Sequence, residues 1–455
     1  MKLLKIYLLA VVLLATGCRK YVEITQPGIR TLKYTSDYRY LLDNTSTFEG
    51  SFSYPILSGD DTEITDATRQ ANITTIWSNV YTWADYYQSE TVSDVDWDKL
   101  YNIIYNSNVV IDGVLSSEGG TDALKKQLYG EALVHRANCY LILINLYGKQ
   151  YNATTATTDL GVPLLLTPNL YSSLKRATVS EVYAQITKDL GAAISTLPKL
   201  PDYNIRPSKA AGYALLSRTY LNMRDFSRAG LYADSTLSIQ STLLDLKTYN
   251  AVPGTIPVRL SDPEIILSKI VNGSFTGIPV STEVLNLLGT SDLRYTLFTR
   301  TGSAFGVFSS SFTGRGYWRY TLNGEYVIQT GPCVPEVMLT KAECLARLGN
   351  ATDAMTIVNN LRKKRFLDAD YTALTATSAD AALSIVIDER KRELFGRGLR
   401  WFDQKRLTYD AAFATTKTRV FKGVTYTLQP NSNRYLYPIG QKYILLNPEL
   451  EQNPR

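Results

Sequence analysis

Apolar residues recur at helical spacings over two parts of the chain, and this pattern predicts helices there. From Trp97 onward, the segment DWDKLYNIIYNSNVVIDGVL carries its apolar residues three and four positions apart. Gly119 marks the end of this helix, and Thr121 is placed to cap the next one, which continues to about Gly148. Further on, Thr178 begins a capping-box pattern that starts another helix.

An internal repeat relates the two helical parts, which span about 97–239 and 335–396. When residue 212 is aligned with residue 337, GYALLSRTYLNM lies on VMLTKAECLARL and the turn RDFSRA lies on GNATDA. Ala229 then falls on Ala354, and a small residue early in a second helix lets two antiparallel helices approach closely. This is the tetratricopeptide plan of helix, tight turn and helix. The predicted fold class is therefore mostly α, with tetratricopeptide-like helical pairs forming a scaffold.

The chain between and after these parts has a different character. Residues 240–330 are rich in Gly, Ser and Thr and carry few helical repeats, so we expect irregular loops with short strands. Residues 407–455 are expected to be extended and to end in Pro-rich coil. We expect residues 31–455 to form a single domain.

The first residues have the features of a lipoprotein signal. Two lysines precede an apolar run that ends at Ala15, and Thr-Gly-Cys follows, with the cysteine at position 18. The run is too short to cross a bilayer, and a cysteine directly after small residues resembles a bacterial lipobox. Ala15 is a departure, because Leu, Val or Ile usually stands there. On this interpretation residues 1–17 are removed, Cys18 receives lipid chains, and residues 18–30 form a tether. The alternative is an ordinary secretory signal with a chance cysteine.

Composition describes a globular protein without a nucleic-acid partner. Hydrophobic residues make up 45% and charged residues 20% of 455 residues, and the formal net charge is only +6. The one dense basic cluster, at 362–365, closes a predicted helix, where cations suit the negative helix end. Once Cys18 is lipidated, three cysteines remain, which indicates no disulfide framework. A bond between Cys333 and Cys344 stays possible.

Motifs for catalysis or for a cofactor are missing. His135 is the only histidine, so a common zinc site cannot form and a histidine-based triad can be built only around it. The D-x-D-x-D pattern at 94–98 lacks the Gly and Glu that a calcium loop needs at its sixth and twelfth positions. These acids are better suited to cap the helix that begins there. We therefore predict no catalytic residue, no metal site and no cofactor.

Two groups of residues have the chemistry of a ligand site. Acids in SGDDTEITD precede two tryptophans, and such rings stack on a pyranose while carboxylates accept from its hydroxyl groups. The acids also fit a glycosidase pair or a solvated loop. An aromatic pair in GRGYWRY suits a stacking platform, or else the buried anchor of a long loop. The candidate ligand-binding residues are Asp60, Asp61, Trp77, Trp83, Tyr317 and Trp318.

Three long segments follow one another in a characteristic order. The first is the early helical pair, WDKLYNIIYNSNVVID and then GEALVHRANCYLILINLYG, with GVPL at 161–164. The second is PEVMLTKAECLARLGN with AMTIVNNLRKKR, at 335–365. The third is IDERKRELFGRGLRWFDQKR at 387–406, with YLYPIGQKYILLNPELEQNP at 435–454. Together they resemble the SusD/RagB family of outer-membrane nutrient-binding lipoproteins in Bacteroidetes.

The third segment is the most specific, and it departs from the family at one point. Gly396-Arg397-Gly398 stands where a member often has another acid. We interpret the charged residues of this segment as a Glu/Arg network at a helix end, with Trp401 packed behind it, rather than as a ligand site.

The resemblance implies a function. It implies a cell-surface lipoprotein that binds a nutrient oligosaccharide and delivers it to a partner SusC-like TonB-dependent outer-membrane transporter, without catalysis. It also implies attachment to the outer membrane through the lipid on Cys18, facing the cell exterior, with the irregular region about 240–330 on the ligand side. The family's ligand residues lie in variable loops, so the six candidates rest on residue chemistry and loop position alone.

Other functions stay open at this point. The same scaffold is able to bind peptides or other nutrients. A lipid-anchored glycoside hydrolase that uses Asp60 and Asp61 is a second class, and a tetratricopeptide adaptor without a small ligand is a third. An inward-facing anchor also remains an alternative, since Arg19-Lys20 is no clear acidic export signal.

Overall fold

The computed structural model describes residues 32–455, apart from 272, 274, 276 and 320–323. The predicted signal peptide, the lipidation site Cys18 and the tether lie outside the described residues. Among the helices that are described, none combines the length and the apolar character needed to cross a bilayer.

Short helices open the described chain, before the part in which sequence periodicity predicts them. They have four to eight residues each, which is too short for a helical period to show. Their bounds are Thr35–Leu42 (α1), Thr45–Phe48 (α2), Pro55–Ser58 (α3), Ala67–Asn72 (α4) and Thr75–Tyr81 (α5).

Long helices follow, and their starts are capped as the sequence predicts. The Asp94 carboxylate accepts from the amides of Asp96 and Trp97, and the Thr121 hydroxyl accepts from the amide of Leu124. Thr178 and its partner three residues later form a reciprocal capping box. The bounds are Val95–Gly113 (α6), Asp122–Tyr147 (α7), Val179–Ile194 (α8), Lys209–Asn222 (α9) and Phe226–Leu237 (α10).

The irregular region has the loops and short strands that its composition predicts. It contains the short helices Lys247–Asn250 (α11), Thr282–Leu288 (α12) and Leu293–Leu297 (α13). Strands Thr299–Thr301 (β1) and Arg315–Tyr317 (β2) pair in antiparallel register, with Thr299 opposite Tyr317.

The second helical part and the C-terminal segment complete the described fold. The helices are Val334–Arg347 (α14), Ala351–Arg362 (α15), Ala379–Leu394 (α16) and Leu399–Leu407 (α17), and a short one, Gln441–Leu446 (α18), lies near the end. Residues 407–455, expected to be extended and to end in Pro-rich coil, contain an antiparallel hairpin of Lys417–Phe421 (β3) and Val424–Leu428 (β4). Its tight turn places Lys422 and Gly423 at positive φ, as two-residue hairpin turns require.

Successive helices pack against one another to form the scaffold. Helix α7 packs between α6 and α8, α9 pairs with α10, and α10 also packs on α14, which in turn contacts α15 and α16. The two alanines of the internal repeat, Ala229 and Ala354, are fully buried in these contacts. The mostly helical, tetratricopeptide-like fold class is confirmed.

Buried ion pairs fasten the irregular region to the second helical part. The Arg294 guanidinium, fully buried, donates to Asp292 at 2.6 Å and to Glu389 and Glu393 on α16, both at 2.7 Å. Arg365, which follows α15, binds Glu393 at 2.9 Å and Glu264 of the irregular region at 2.7 Å.

A second set of charges continues this network along α17. Arg406 binds Glu343 on α14 at 2.6 Å and Asp403 at 2.9 Å. Trp401 is fully buried, and its ring stacks on Tyr437 at 5.7 Å. The Glu/Arg network with Trp401 behind it is therefore present in residues 387–406, whereas Lys391 and Arg400 of the same segment bind Asp60.

The cysteines among the described residues are unpaired. Cys139, Cys333 and Cys344 are all free and buried. The Cys333–Cys344 bond that the sequence left possible is absent. His135 is likewise buried; its ring lies 4.8 Å from that of Phe48, and its Nδ1 is 2.8 Å from Lys269 Nζ.

The network predicts a large stability loss for Glu393→Gln. Burial opposes ionisation, but Arg365 and Arg294 lower the pKa of Glu393 to about 2. The neutral amide would leave two buried arginines short of negative charge, so we expect a loss of about 3–5 kcal/mol in the free energy of unfolding at pH 7. The ionised Glu393 stabilises the fold above about pH 4, and this contribution disappears as pH falls towards 2.

Urea denaturation measures this loss. Glu118→Gln is the control, since Glu118 pairs with Lys33 while both side chains are 56% exposed. Its expected cost is below about 1 kcal/mol. Equal costs for the two variants would contradict the structural role of the network.

Candidate functional site

A cleft of about 680 Å³ lies between the loop after α3, the start of α12 and the β3–β4 hairpin. Its wall is hydrophilic. Six threonines contribute, and charged side chains line it from all three segments: Asp60, Glu63, Glu283, Lys417 and Arg419. Such a wall offers many donors and acceptors to a hydroxyl-rich ligand.

Asp60 forms one side of the cleft and binds three cations. Arg400 donates to both of its carboxylate oxygens, at 2.6 and 3.0 Å, while Lys417 Nζ lies at 3.0 Å and Lys391 Nζ at 3.4 Å. Burial alone would raise the pKa of Asp60, but Arg400, joined by the two lysines, holds it well below its usual range.

Asp61 points in a different direction and is only 2% exposed. Its Oδ2 accepts from the Gly396 amide at 2.9 Å, and its Oδ1 has no hydrogen-bond partner. Burial raises the pKa of Asp61 to about 6, although the Gly396 amide opposes this. Asp60 and Asp61 are therefore neighbours with opposite electrostatic environments.

Trp83 lies beneath the cleft and is only 1% exposed. Its Nε1 donates to the Ser58 carbonyl at 3.1 Å, and the Arg419 guanidinium lies 4.4 Å from its ring centre. The same guanidinium lies 4.2 Å from the Tyr81 ring and donates to carbonyls of the Ser58–Gly59 loop. Trp83 thus supports Arg419 and the cleft floor, with both ring faces in the interior.

Tyr317 is also buried, at 7% exposure. Its ring meets that of Phe395 edge to face at 5.5 Å and lies against Gly396, where a Cβ would come within 2.5 Å of it. The turn at Gly396, with φ of 72°, therefore brings Tyr317 and Asp61 together.

Trp77 and Trp318 are partly exposed and lie on an aromatic surface beside the cleft. The Trp77 ring contacts Phe275 at 4.9 Å, and the Trp318 ring contacts Phe305 at 5.0 Å, with the Arg300 guanidinium 5.1 Å from it. The two halves meet at Gly277, where a Cβ would come within 3.4 Å of Phe305 and within 3.2 Å of the Phe308 ring. We define this aromatic surface by Trp77, Phe275 and Trp318, with the buried Phe305 packed against Trp318.

One carboxylate links the aromatic surface to the cleft. Asp66 caps α4 through the Arg69 amide and also accepts from the amide and hydroxyl of Ser309, in the loop after Phe308. Thr65, its neighbour, lines the cleft. Of the four aromatic candidates, Trp77 and Trp318 are partly exposed, whereas Trp83 and Tyr317 are buried.

Sequence reasoning missed the cationic side of the cleft. Lys391 and Arg400 belong to a segment that was assigned to the scaffold as a whole. Lys417 and Arg419 belong to a segment that was expected to be extended and was given no role in the site. A signal was present, since Lys417 and Arg419 are two positions apart and side chains so spaced share one face of a strand. Phe275 and Phe305 were missed as well; each is followed within two positions by a glycine in the irregular region.

Within the described part of the chain, no group of His, Cys, Asp and Glu side chains is arranged to hold a metal ion. Of the cleft acids, Asp60 and Glu283 bind cationic side chains of the protein itself, and Glu63 binds Thr282. The site therefore has the character of a polar binding surface with an aromatic border.

Comparisons with known proteins agree with this architecture. A family model described as "Starch-binding associating with outer membrane" matches residues 43–221, and the model of the SusD family matches residues 334–455. The chain belongs to the SusD/RagB family. SusD-family proteins bind glycans without catalysing a reaction, so the chain is classed with binding proteins rather than enzymes.

Two relatives from Formosa agariphila show how far the likeness extends. SusD-like protein P2 is 24% identical over 418 residues, which cover 78% of this chain and 79% of the relative. SusD-like protein P38 is 29% identical over 123 residues, and this match covers 26% of this chain and only 22% of the relative.

Solved structures share the fold over nearly the whole chain. A SusD superfamily protein from Bacteroides thetaiotaomicron superimposes with a TM-score of 0.74 at 19% identity, covering 93% of this chain and 100% of that one. A SusD-like carbohydrate binding protein from Bacteroides vulgatus gives 0.70 at 21% identity, covering 92% and 97%.

The Asp61 geometry predicts a pH-dependent effect of Asp61→Asn. The folded protein retains the Asp61 proton up to about pH 6, whereas the unfolded chain releases it near the ordinary value of 3.8. The wild-type free energy of unfolding therefore falls between about pH 4 and pH 6, and the asparagine variant lacks this fall. We expect the stability of the variant relative to wild type to rise by roughly 2–3 kcal/mol over that interval.

Urea denaturation at several pH values between 4 and 7 tests this prediction. Asp202→Asn is the control, because the Asp202 side chain is 77% exposed and its substitution should give no such slope. A stability difference for Asp61→Asn that does not change with pH would show that Asp61 is ionised throughout.

Proposed function

We propose that this SusD-family protein is a lipid-anchored, non-catalytic binding protein that captures an oligosaccharide at the outer membrane and delivers it to a SusC-like TonB-dependent transporter. The observation that carries the proposal is the aromatic surface next to a threonine-rich cleft. Aromatic faces bind the apolar side of a sugar ring, while hydroxyl, carboxylate and ammonium groups bind its hydroxyl groups.

The two halves of the site have complementary tasks in this proposal. Trp77 and Trp318 stack on sugar rings, with Arg300 beside Trp318 as a donor. The cleft then binds a neighbouring part of the chain through Thr65, Thr418 and the charged groups on its wall. A site with these two separate parts suits an oligosaccharide better than a single sugar.

The hydrolase alternative is not supported by the carboxylate geometry. A glycosidase needs two carboxyl groups that face one glycosidic bond. Asp60 is instead neutralised by three cations, and Asp61 is buried against the Gly396 amide. Family membership supports the same conclusion.

Substitution of the two partly exposed tryptophans tests the glycan site. We expect Trp77→Ala and Trp318→Ala each to weaken binding of an oligosaccharide by about tenfold or more, because each removes one stacking platform. Titration calorimetry with a ligand selected from a glycan array measures this. Tyr203→Ala is the matched control, since Tyr203 is 60% exposed and does not belong to the aromatic surface.

Unchanged affinity in both tryptophan variants, with folding verified by circular dichroism, would exclude the aromatic surface as the glycan site. Loss of affinity in the Tyr203 variant would show a non-specific effect of removing surface aromatic rings.

The lipid anchor and the transporter are tested together in the native host. We expect the wild-type protein to remain in the membrane fraction and, after detergent extraction, to co-purify with a β-barrel transporter in near-equal amounts. Cys18→Ser should leave the membrane fraction, because the lipid chains are its attachment. A serine variant that is retained on membranes to the same extent, or a wild-type protein that purifies without a barrel, would contradict this part of the proposal.

A further inference from the structure

A smaller cavity of about 160 Å³ adjoins the cleft and shares Glu283 and Lys417 with it. Lys391 and Arg400 line this cavity. The Lys391 side chain is only 4% exposed, although Asp388, three positions earlier on the same helix, is exposed. A path therefore leads from the open cleft to a buried ammonium group.

The charges around this path are unequally buried. Three cations, Lys391, Arg400 and Lys417, meet one carboxylate of low exposure, that of Asp60. Two further carboxylates come from the rim. Glu283 lies at 2.6 Å from Lys391, and its side chain is 65% exposed, while Asp388 is exposed as well.

An exposed carboxylate and a buried ammonium form an asymmetric pair. The exposed partner is well hydrated and loses little when it returns to water, so it contributes little to holding the pair together. The buried ammonium, by contrast, has lost most of its hydration and depends on anionic partners. Another anion that enters the cleft can therefore replace Glu283 as a partner of the Lys391 ammonium group.

The backbone under Glu283 is fixed, so only its side chain has to move. The Glu63 carboxylate accepts from the amide and the hydroxyl of Thr282, at 3.0 and 2.9 Å, and Ser281 caps α12. Glu283 occupies the first turn of this short helix, directly above Lys391.

We propose that the cleft recognises an anionic substituent on the glycan, either a uronate carboxylate or a sulfate ester, which displaces Glu283 from Lys391 and contacts Lys417. This inference rests on the proposed glycan-binding function and adds the chemical class of the ligand. The aromatic surface holds the sugar rings, and the cationic side of the cleft selects acidic chains over neutral ones.

Two variants with opposite expected effects test the inference. Glu283→Gln removes the competing carboxylate and should tighten binding of an acidic oligosaccharide several-fold relative to its neutral counterpart. Lys417→Gln removes a cation from the cleft and should weaken the acidic ligand by about tenfold. Lys422→Gln is the matched control: it makes the same charge change on the same hairpin, at the exposed turn, and should have no effect.

The probes are matched sets of oligosaccharides on a glycan array, each backbone present in neutral, uronate and sulfated form, followed by calorimetry at low and high salt. We expect the wild-type protein to bind the acidic oligosaccharides at least tenfold more tightly than the neutral ones at low salt. Comparison of the uronate and sulfated forms identifies which anion is bound. A wild type that binds neutral and acidic members equally, or a Glu283→Gln variant that weakens acidic binding, would overturn the inference.

The failure of the inference differs from the failure of the proposed function. If neutral glycans bind and Trp77→Ala weakens them, but no acidic preference exists, the glycan function stands and the anionic subsite is refuted. If no member of any backbone set binds to a folded wild type, both are refuted.

Discussion

Arginine–carboxylate pairing inside the protein holds the ligand-side loops on the helical scaffold. In some pairs the loop supplies the acid, as with Glu264 and Asp60, which bind Arg365 and Arg400. In others the loop supplies the arginine, as with Arg294, which binds two acids of α16. A buried charge without its partner is far more costly than a buried charge that is paired. A loop that moved away from its arginine would leave both charges unmatched, so each pair selects one loop position over its alternatives.

This constraint explains why the site is preorganised although it consists mainly of loops. The Asp60 carboxylate is fixed by Arg400 and two lysines, and the Asp61 carboxylate by the amide of a glycine turn. Arg419 adds a further restraint without any carboxylate partner, because it uses loop carbonyls and two aromatic rings. Binding of a ligand then requires little ordering of the protein.

The long helices, their caps and the repeat of helical pairs could be predicted from the sequence because they depend on local spacing. Asp94 and Thr121 can be recognised as helix caps from the residues that follow them in the sequence. The five helices before Trp83 and the β3–β4 hairpin were missed, since short elements carry little periodicity and obtain their stability from tertiary contacts.

The site was predicted only in part, for a related reason. Its location near Asp60 and the two aromatic groups follows from residue chemistry, but exposure does not. In the sequence, Trp83 and Trp77 are equally plausible stacking residues. In the structure, Arg419 of the C-terminal hairpin covers the Trp83 ring, which is buried. Lys391 was hidden among scaffold charges because nothing in the helix that carries it distinguishes a lysine in a cleft from one in an ion-pair network.

Buried side chains of Phe421, Leu428 and Arg419 attach the β3–β4 hairpin to the rest of the protein. Arg419 points inward between outward-facing neighbours. The positions on either side, Thr418 and Val420, are exposed to the cleft or to solvent. Substitutions at these positions alter the cleft wall without disturbing the contacts of Arg419 or the helices behind the hairpin. Related chains can therefore acquire new ligand preferences by exchanging a few hairpin side chains while the fold stays the same.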